Sequence, residues 1–200
     1  MTTLHQIRSE KTRERLLNAA MTLLQTKGYG QLSMHEVARE AGMTAGAVQH
    51  HFATKATLML EVLARVVAQL EVADDFWPSK NWPLKRRADH FVREAWARLY
   101  GQPRFAVAWT AYLAARDDPA VMAHIVSQRA ALSESVHGRM AEIFPRMCQG
   151  EAGKARMDFV LSALRGMGLV APFAAEPAIA PQLQVLSNFI QVSESTGDPS

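Results

Sequence analysis

No stretch narrows the folding options as much as residues 32–55, LSMHEVAREAGMTAGAVQHHFATK. Ser33 stands three residues before Glu36, the spacing of a capping box at the start of a helix. Val37, Ala38 and Ala41 then keep the spacing of one apolar helix face. Gly42 ends that helix, because glycine accepts the left-handed backbone that a helix C-terminus often needs. Met43 is the apolar residue of the turn, and Thr44 is a second N-cap. A second helix starts at once with Ala45-Gly46-Ala47-Val48. Two short helices joined this tightly across a glycine have the sequence form of a helix-turn-helix.

The second helix divides its faces unevenly. Val48 and Phe52, four apart, point inward. Ala45, Gly46, Gln49 and His50 are left outside, small at the start of the helix and polar beyond it. A helix that enters the major groove needs small residues where its backbone meets DNA and hydrogen-bonding tips at base edges and phosphates. Lys55, opening the next helix, is placed to reach a phosphate. Taken alone the pattern also suits an ordinary packed helix pair, since helix pairs separated by glycine are common.

The run TAGAVQHHFATKATL resembles the recognition helix and following helix start of the TetR family of bacterial repressors. That family often shows Ser-Lys-Gly-x-Leu-Tyr-x-His-Phe and then Lys. Thr44, Gly46, Val48, His51, Phe52 and Lys55 match in kind, whereas Ala45 stands for the common Lys and Gln49 for the common Tyr. The resemblance covers residues 1–60; beyond them only the length and the helical pattern agree. It implies DNA contacts from Ser33, Thr44, Ala45, Gly46, Gln49, His50, His51 and Lys55. It also implies a homodimer on an inverted-repeat operator in double-stranded DNA, released by a small-molecule effector.

Charge agrees with that expectation. The chain of 200 residues carries a formal net charge of +3, and residues 1–60 hold seven Lys or Arg against four acids. The other 140 residues balance at 15 of each sign, so the whole excess lies on the helix-turn-helix segment. Apolar content of 48% with 20% charged residues describes a globular chain with a sizeable core. The single cysteine, Cys148, fits a reducing compartment and reads as a small buried apolar residue. With no apolar signal core and no membrane-length apolar run, the expected location is cytoplasmic, with no membrane partner.

Along the chain every period is helical, which predicts an all-α fold. It comprises an N-terminal three-helix helix-turn-helix domain, residues 1–54, and a C-terminal helical ligand-binding and dimerisation domain, residues 55–200. Residues 1–7 read as an arm, 8–27 as a helix closed by Gly28-Tyr29-Gly30, and 55–72 as a long helix. Pro78 and Pro83 mark a loop over 74–83. Further helices are expected over 84–100, 103–115, 119–144, 150–170 and 181–192, with SESTGDPS as a disordered tail.

Two features of the second half suggest sites. Residues 76–112 hold nine of the fifteen aromatics and all four Trp. Trp and Tyr need partners for their polar atoms and are a demanding way to fill a core. A pocket for an apolar or aromatic molecule would use Trp96, Tyr100, Trp109, Tyr112 and Phe159, with His124 and Arg129 as polar neighbours. Plain core packing is the competing reading. The last two helices carry few charges, and Ser162 and Gly166 are small residues four apart. Together with Leu186 and Phe189 they suggest a bundle formed with a second copy.

Catalysis finds no support. The seven His are scattered without an HExxH pair, and no P-loop, GxSxG or cysteine cluster occurs, so neither a metal nor a cofactor is expected. The function expected is a sequence-specific DNA-binding regulator, a repressor released by a small apolar or aromatic ligand. The alternatives are a DNA-binding protein without effector and a small helical enzyme using the aromatic cavity.

Overall fold

The computed structural model describes residues 4–27, 32–71, 73, 75–114, 117, 119–173 and 179–196. Among them the elements are α1 (Leu4–Lys27), α2 (Met34–Glu40), α3 (Ala45–His51), α4 (Lys55–Glu71) and α5 (Leu84–Ala95), which runs into a π-helical turn at Trp96–Tyr100. There follow α6 (Pro103–Ala114), α7 (Pro119–Ile143), α8 (Glu151–Val170), a 3-10 turn at Ala171–Phe173 and α9 (Ile179–Thr196). No strand occurs among the described residues, so the fold is all-α as expected.

The chain divides into two compact units, Met1–Arg65 with Val107–Ala123, and Val66–Ala106 with His124–Ser200. The first is built around one apolar cluster. Leu16, Ala20 and Leu23 of α1, Val37 and Ala38 of α2, Val48 of α3, Phe52, and Leu58 and Val62 of α4 are all buried in it. The α1 residues stand three, four and seven apart, so each turn of the helix delivers one side chain to the same face. Arg13–Glu61 and Arg65–Glu14 ion pairs tie the outer edges of α1 and α4. They lie at the surface and add little beside the apolar burial.

The second unit has an aromatic centre. The Phe91 ring stacks on Trp77 at 5.8 Å and meets Phe76 and Phe144 edge to face at 6.5 and 6.3 Å. Phe76, Phe91 and Phe144 are buried, as are Val92, Met140, Met147, Val160, Leu164 and Ile190 of the same unit. Much of the aromatic concentration read from the sequence as a pocket is therefore core. Gly168 of α8 packs on the π turn, where an added Cβ would fall 2.3 Å from the Tyr100 carbonyl oxygen.

Several element expectations need correction. The first helix begins at Leu4, not after a seven-residue arm. The expected helix over 84–100 gives way to the π turn at Trp96. The tail is not disordered from Ser193: α9 continues to Thr196, because Ser193 and Glu194 are buried and the Glu194 carboxylate accepts from Met147 N at 2.9 Å. A carboxylate that receives a backbone N–H is worth burying, and composition alone gives no sign of it. The Gly28-Tyr29-Gly30 stop lies outside the described residues.

Candidate nucleic-acid interface

The geometry of α2 and α3 follows from local chemistry. Ser33 Oγ accepts from Glu36 N at 3.2 Å, which satisfies one of the orphan amides at the start of α2. The reciprocal half of the expected capping box is replaced. The Glu36 carboxylate receives Lys27 Nζ at 2.9 Å and Arg39, and Lys27 above all holds its pKa below the ordinary range. Gly42 has φ 64°, the left-handed turn the sequence predicts. Arg15 closes the same end of α2 by donating to the Ala41 carbonyl at 2.8 Å. Thr44 Oγ1 then accepts from Ala47 N at 3.2 Å and starts α3.

The faces of α3 divide as the sequence predicts. Val48 is fully buried, and Phe52 just beyond α3 is nearly so, with the Arg13 guanidinium 4.9 Å above its ring. Thr44, Gly46, Gln49 and His50 are exposed, and Ala45 and His51 are half-buried. A Cβ on Gly46 would meet only Thr44 Oγ1, at 4.0 Å, so the fold itself does not require glycine there. The His50 and His51 rings meet edge to face at 5.3 Å. Burial lowers the His51 pKa, and the neighbouring His50 and Arg13 charges lower it further.

Lys55 is half-buried on the first turn of α4, and burial lowers its pKa. The start of α4 carries a device not singled out in the sequence. Thr54 N donates to Thr57 Oγ1 and Thr57 N to Thr54 Oγ1, each at 3.1 Å. The Thr-x-x-Thr spacing was the available signal. The turn that carries Lys55 is thereby held by side chains on both sides of it.

The residues assigned to ligand and partner scatter. Trp96 opens the π turn, its indole close against Gly101. Tyr100 is buried and meets Phe105 edge to face at 5.0 Å. Trp109 is half-buried on α6, in the part assigned to the first unit, and the Tyr112 side chain lies outside the described residues. Phe159 does not join the aromatic core. It is 55% exposed on α8, with its ring 5.0 Å from Phe189 of α9. Ser162 is exposed and Gly166 half-exposed, with open space where its Cβ would be. Leu186 is buried in its own chain at 5% exposure, so it is not available to a second copy. The large apolar residues exposed on these helices are Phe159, Val170, Val185 and Val192. Val185, Phe189 and Val192 stand four and three apart, a helical stripe present in the sequence.

Among the described residues no group of three or more His, Cys, Asp and Glu is arranged to hold a metal ion. No helix among them is long and apolar enough to cross a membrane. Cys148 is half-buried, and burial pushes its thiol up to about 11, which removes thiolate reactivity near neutral pH.

Comparison with known proteins agrees with the reading of this segment. The family described as bacterial regulatory proteins, tetR family, matches over residues 16–62. The HTH-type transcriptional regulator SrpR of Pseudomonas putida is 37% identical over 70 residues, which make up 35% of this chain and 32% of SrpR. The HTH-type transcriptional regulator CymR of Pseudomonas putida is 28% identical over 114 residues, 57% of this chain and 56% of CymR. The chain thus spans between a third and somewhat over half of the length of these relatives. The structure of the multidrug binding protein EbrR with ethidium shares the fold, with a TM-score of 0.59 at 22% identity over 89% of this chain and 98% of EbrR. Over its helix-turn-helix segment, residues 16–62, the chain is therefore similar to the tetR family of bacterial regulatory proteins.

Proposed function

We propose that this protein is a homodimeric, effector-responsive transcriptional regulator that binds an inverted-repeat operator through α3. The observation that carries the reading is the division of α3 between a buried Val48 and an exposed Gln49-His50 pair, behind a Gly46 that packing does not demand. The N-terminus of α3 meets the groove at Ala45 and Gly46, Gln49 and His50 reach base edges, and Ser33, Thr44, His51 and Lys55 face the phosphates. Two such helices read half-sites about one DNA turn, roughly 34–36 Å, apart, which requires a two-fold partner.

Exposed Phe159, Val185 and Val192 with half-buried Phe189, and Ser162 and Gly166 on α8, form the surface we assign to that partner. The effector is a small molecule bound by the second unit, with Trp96 and Tyr100 as its aromatic contacts. EbrR, which has the same fold, has been seen with ethidium bound. A ligand releases DNA only by binding the DNA-incompetent state more tightly, by an amount equal to the coupling free energy. The effect on transcription is repression.

The test is fluorescence anisotropy on a duplex from upstream of the protein's own gene, with a scrambled duplex as control. Specific binding at least ~10³-fold tighter than to the scrambled duplex is expected. Gln49→Ala and His50→Ala should narrow that ratio, and Lys55→Ala should weaken both duplexes alike. Absence of binding to any duplex at low salt would sink the reading.

A further inference from the structure

The second unit carries an open cleft of about 520 Å3 along α5, walled by Lys85, Arg86, Asp89, His90, Arg93 and Glu94. That volume falls in the range of small-molecule sites. Apart from the His90 imidazole no aromatic side chain lines it, so the cleft suits a polar occupant. Its acids are already engaged. Asp89 Oδ2 accepts from Lys85 Nζ and Oδ1 from the Ser187 hydroxyl, both at 2.6 Å. Glu94 is paired with Arg98, which does not line the cleft. Among the described residues, Arg86 and Arg93 have no carboxylate within ion-pair distance. Two positive charges of the cleft are therefore left without a partner acid.

Both arginines are exposed, so a solute can reach them. Arg86, His90 and Arg93 stand four and three apart and share one face of α5. Arg86 is also held in place. Its guanidinium carbon lies 3.9 Å from the centroid of the Trp82 ring. The His90 ring meets the same indole edge to face at 5.2 Å, and His90 Nε2 donates to the Asp75 carbonyl at 3.1 Å. Trp82 N donates to the Ser79 carbonyl at 3.0 Å, which fixes the loop that carries the indole. Much of the rotamer freedom of Arg86 is thus lost before any ligand arrives, which lowers the cost of binding one. Seven residues of helix set Arg86 and Arg93 about 10 Å apart along the axis. A row of phosphates offers acceptor oxygens to both forks at once. A single carboxylate does so only by drawing the two side chains together.

We infer that the α5 cleft is a binding site for an oligophosphate group, with Arg86 and Arg93 as its two anchors. The planar guanidinium fork matches phosphate oxygens two at a time, and charge assistance makes such bonds strong. The site is separate from the α3 face assigned to DNA and from the aromatic contacts assigned to the effector. It goes beyond the regulatory reading and does not depend on it. An inorganic phosphate chain and the tail of a nucleoside triphosphate share the chemistry that the cleft recognises.

The probes are tripolyphosphate, ATP and sulfate, each titrated into the full chain by calorimetry at one fixed ionic strength. Wild-type protein is expected to bind tripolyphosphate at least ~10-fold more tightly than sulfate. The double variant R86Q/R93Q should lose that preference, and R86K/R93K, which keeps the charge without the planar fork, should fall between. R139Q, at an exposed arginine outside the cleft that is paired with Glu142, should bind as wild type does. A second measurement uses the wild-type chain and so does not depend on how a variant folds. The Trp82 indole Nε1–H resonance, identified by its loss in W82F, and the amides of 85–94 should shift as tripolyphosphate is added. Equal affinity of ATP and tripolyphosphate would identify the phosphate chain alone as the ligand, and tighter binding of ATP would identify a nucleotide; both support the site. Equal affinity for sulfate, an unchanged preference in R86Q/R93Q, or an unmoved Trp82 resonance would each overturn it. Shifts confined to the amides of α3 would place the anion on the DNA face and overturn it too.

Discussion

The two units of this chain are held together by different kinds of information. In the first, the bonds that start the helices are local. Ser33 caps α2 at a residue three away, Thr44 caps α3 in the same way, and Thr54 and Thr57 cap each other. In the second, they join distant parts of the chain: Asp89 to Ser187, Met147 N to Glu194, Arg87 to the Ile143 carbonyl and Arg98 to Asp75. The first unit turns its polar and small residues outward on α3 and buries its apolar ones. The second leaves Phe159, Val185 and Val192 exposed. The helix caps of the first unit thus need only neighbouring residues, whereas the second unit is tied together across the sequence.

The comparison breaks most sharply at Phe52. Phe52→Ala removes a buried ring and leaves a cavity, so a loss of about 3–5 kcal/mol is expected in denaturant titration. Hydrogen exchange adds the regional test. Amides of α2 and α3 should lose protection while those of α8 and α9 keep theirs. Equal loss in both regions would show that the units unfold as one. Next in size is the double change Phe159→Asp with Val185→Asp. Both positions are exposed, so the helical content of the chain should hardly change. Sedimentation should show a monomer, with operator affinity lost by ~10²-fold or more as bivalent engagement disappears. A dimer of wild-type strength would move the interface elsewhere.

Legibility in the sequence follows the same division. Ser33, Gly42, Thr44, Val48 and Phe52 were readable because each acts within a few residues of its partner, and the structure gives each the predicted place. The helices of the second half were also readable as helices, since period needs no partner. Which side of them faces inward was not. Phe159 and Leu186 are both apolar residues on apolar helices, yet one is exposed and the other buried. That depends on which helix packs where, and Asp89–Ser187 contacts across 98 residues leave no trace in a local window. The aromatics of 76–91 show the same dependence: Phe76, Trp77 and Phe91 pack on one another, and Phe91 on Phe144. Glu194 looked like a tail residue because its partner, Met147 N, comes from another element.

Smaller effects sharpen the account of the first unit. Thr44→Ala removes the acceptor for Ala47 N and should cost about 1 kcal/mol, with little change in core packing. The smallest effect concerns His51. Its folded pKa lies below the model-peptide value of 6.5, first through burial and then through the His50 and Arg13 charges. Where the unfolded chain binds the proton and the folded chain does not, stability rises with pH. The contribution is therefore complete above the unfolded pKa and is lost as pH falls from about 7.5 through the unfolded value, levelling off below the folded one. His51→Gln should flatten that part of the curve relative to wild type, leaving the slopes due to other groups unchanged. Phosphates near His51 would act with the opposite sign, since they favour the charged ring. Lowering the pH from 7.5 to 6 should then weaken folding while tightening DNA binding, both through one side chain. If His51→Gln alters the pH dependence of stability but not that of binding, His51 belongs to the core of the first unit and not to its DNA face.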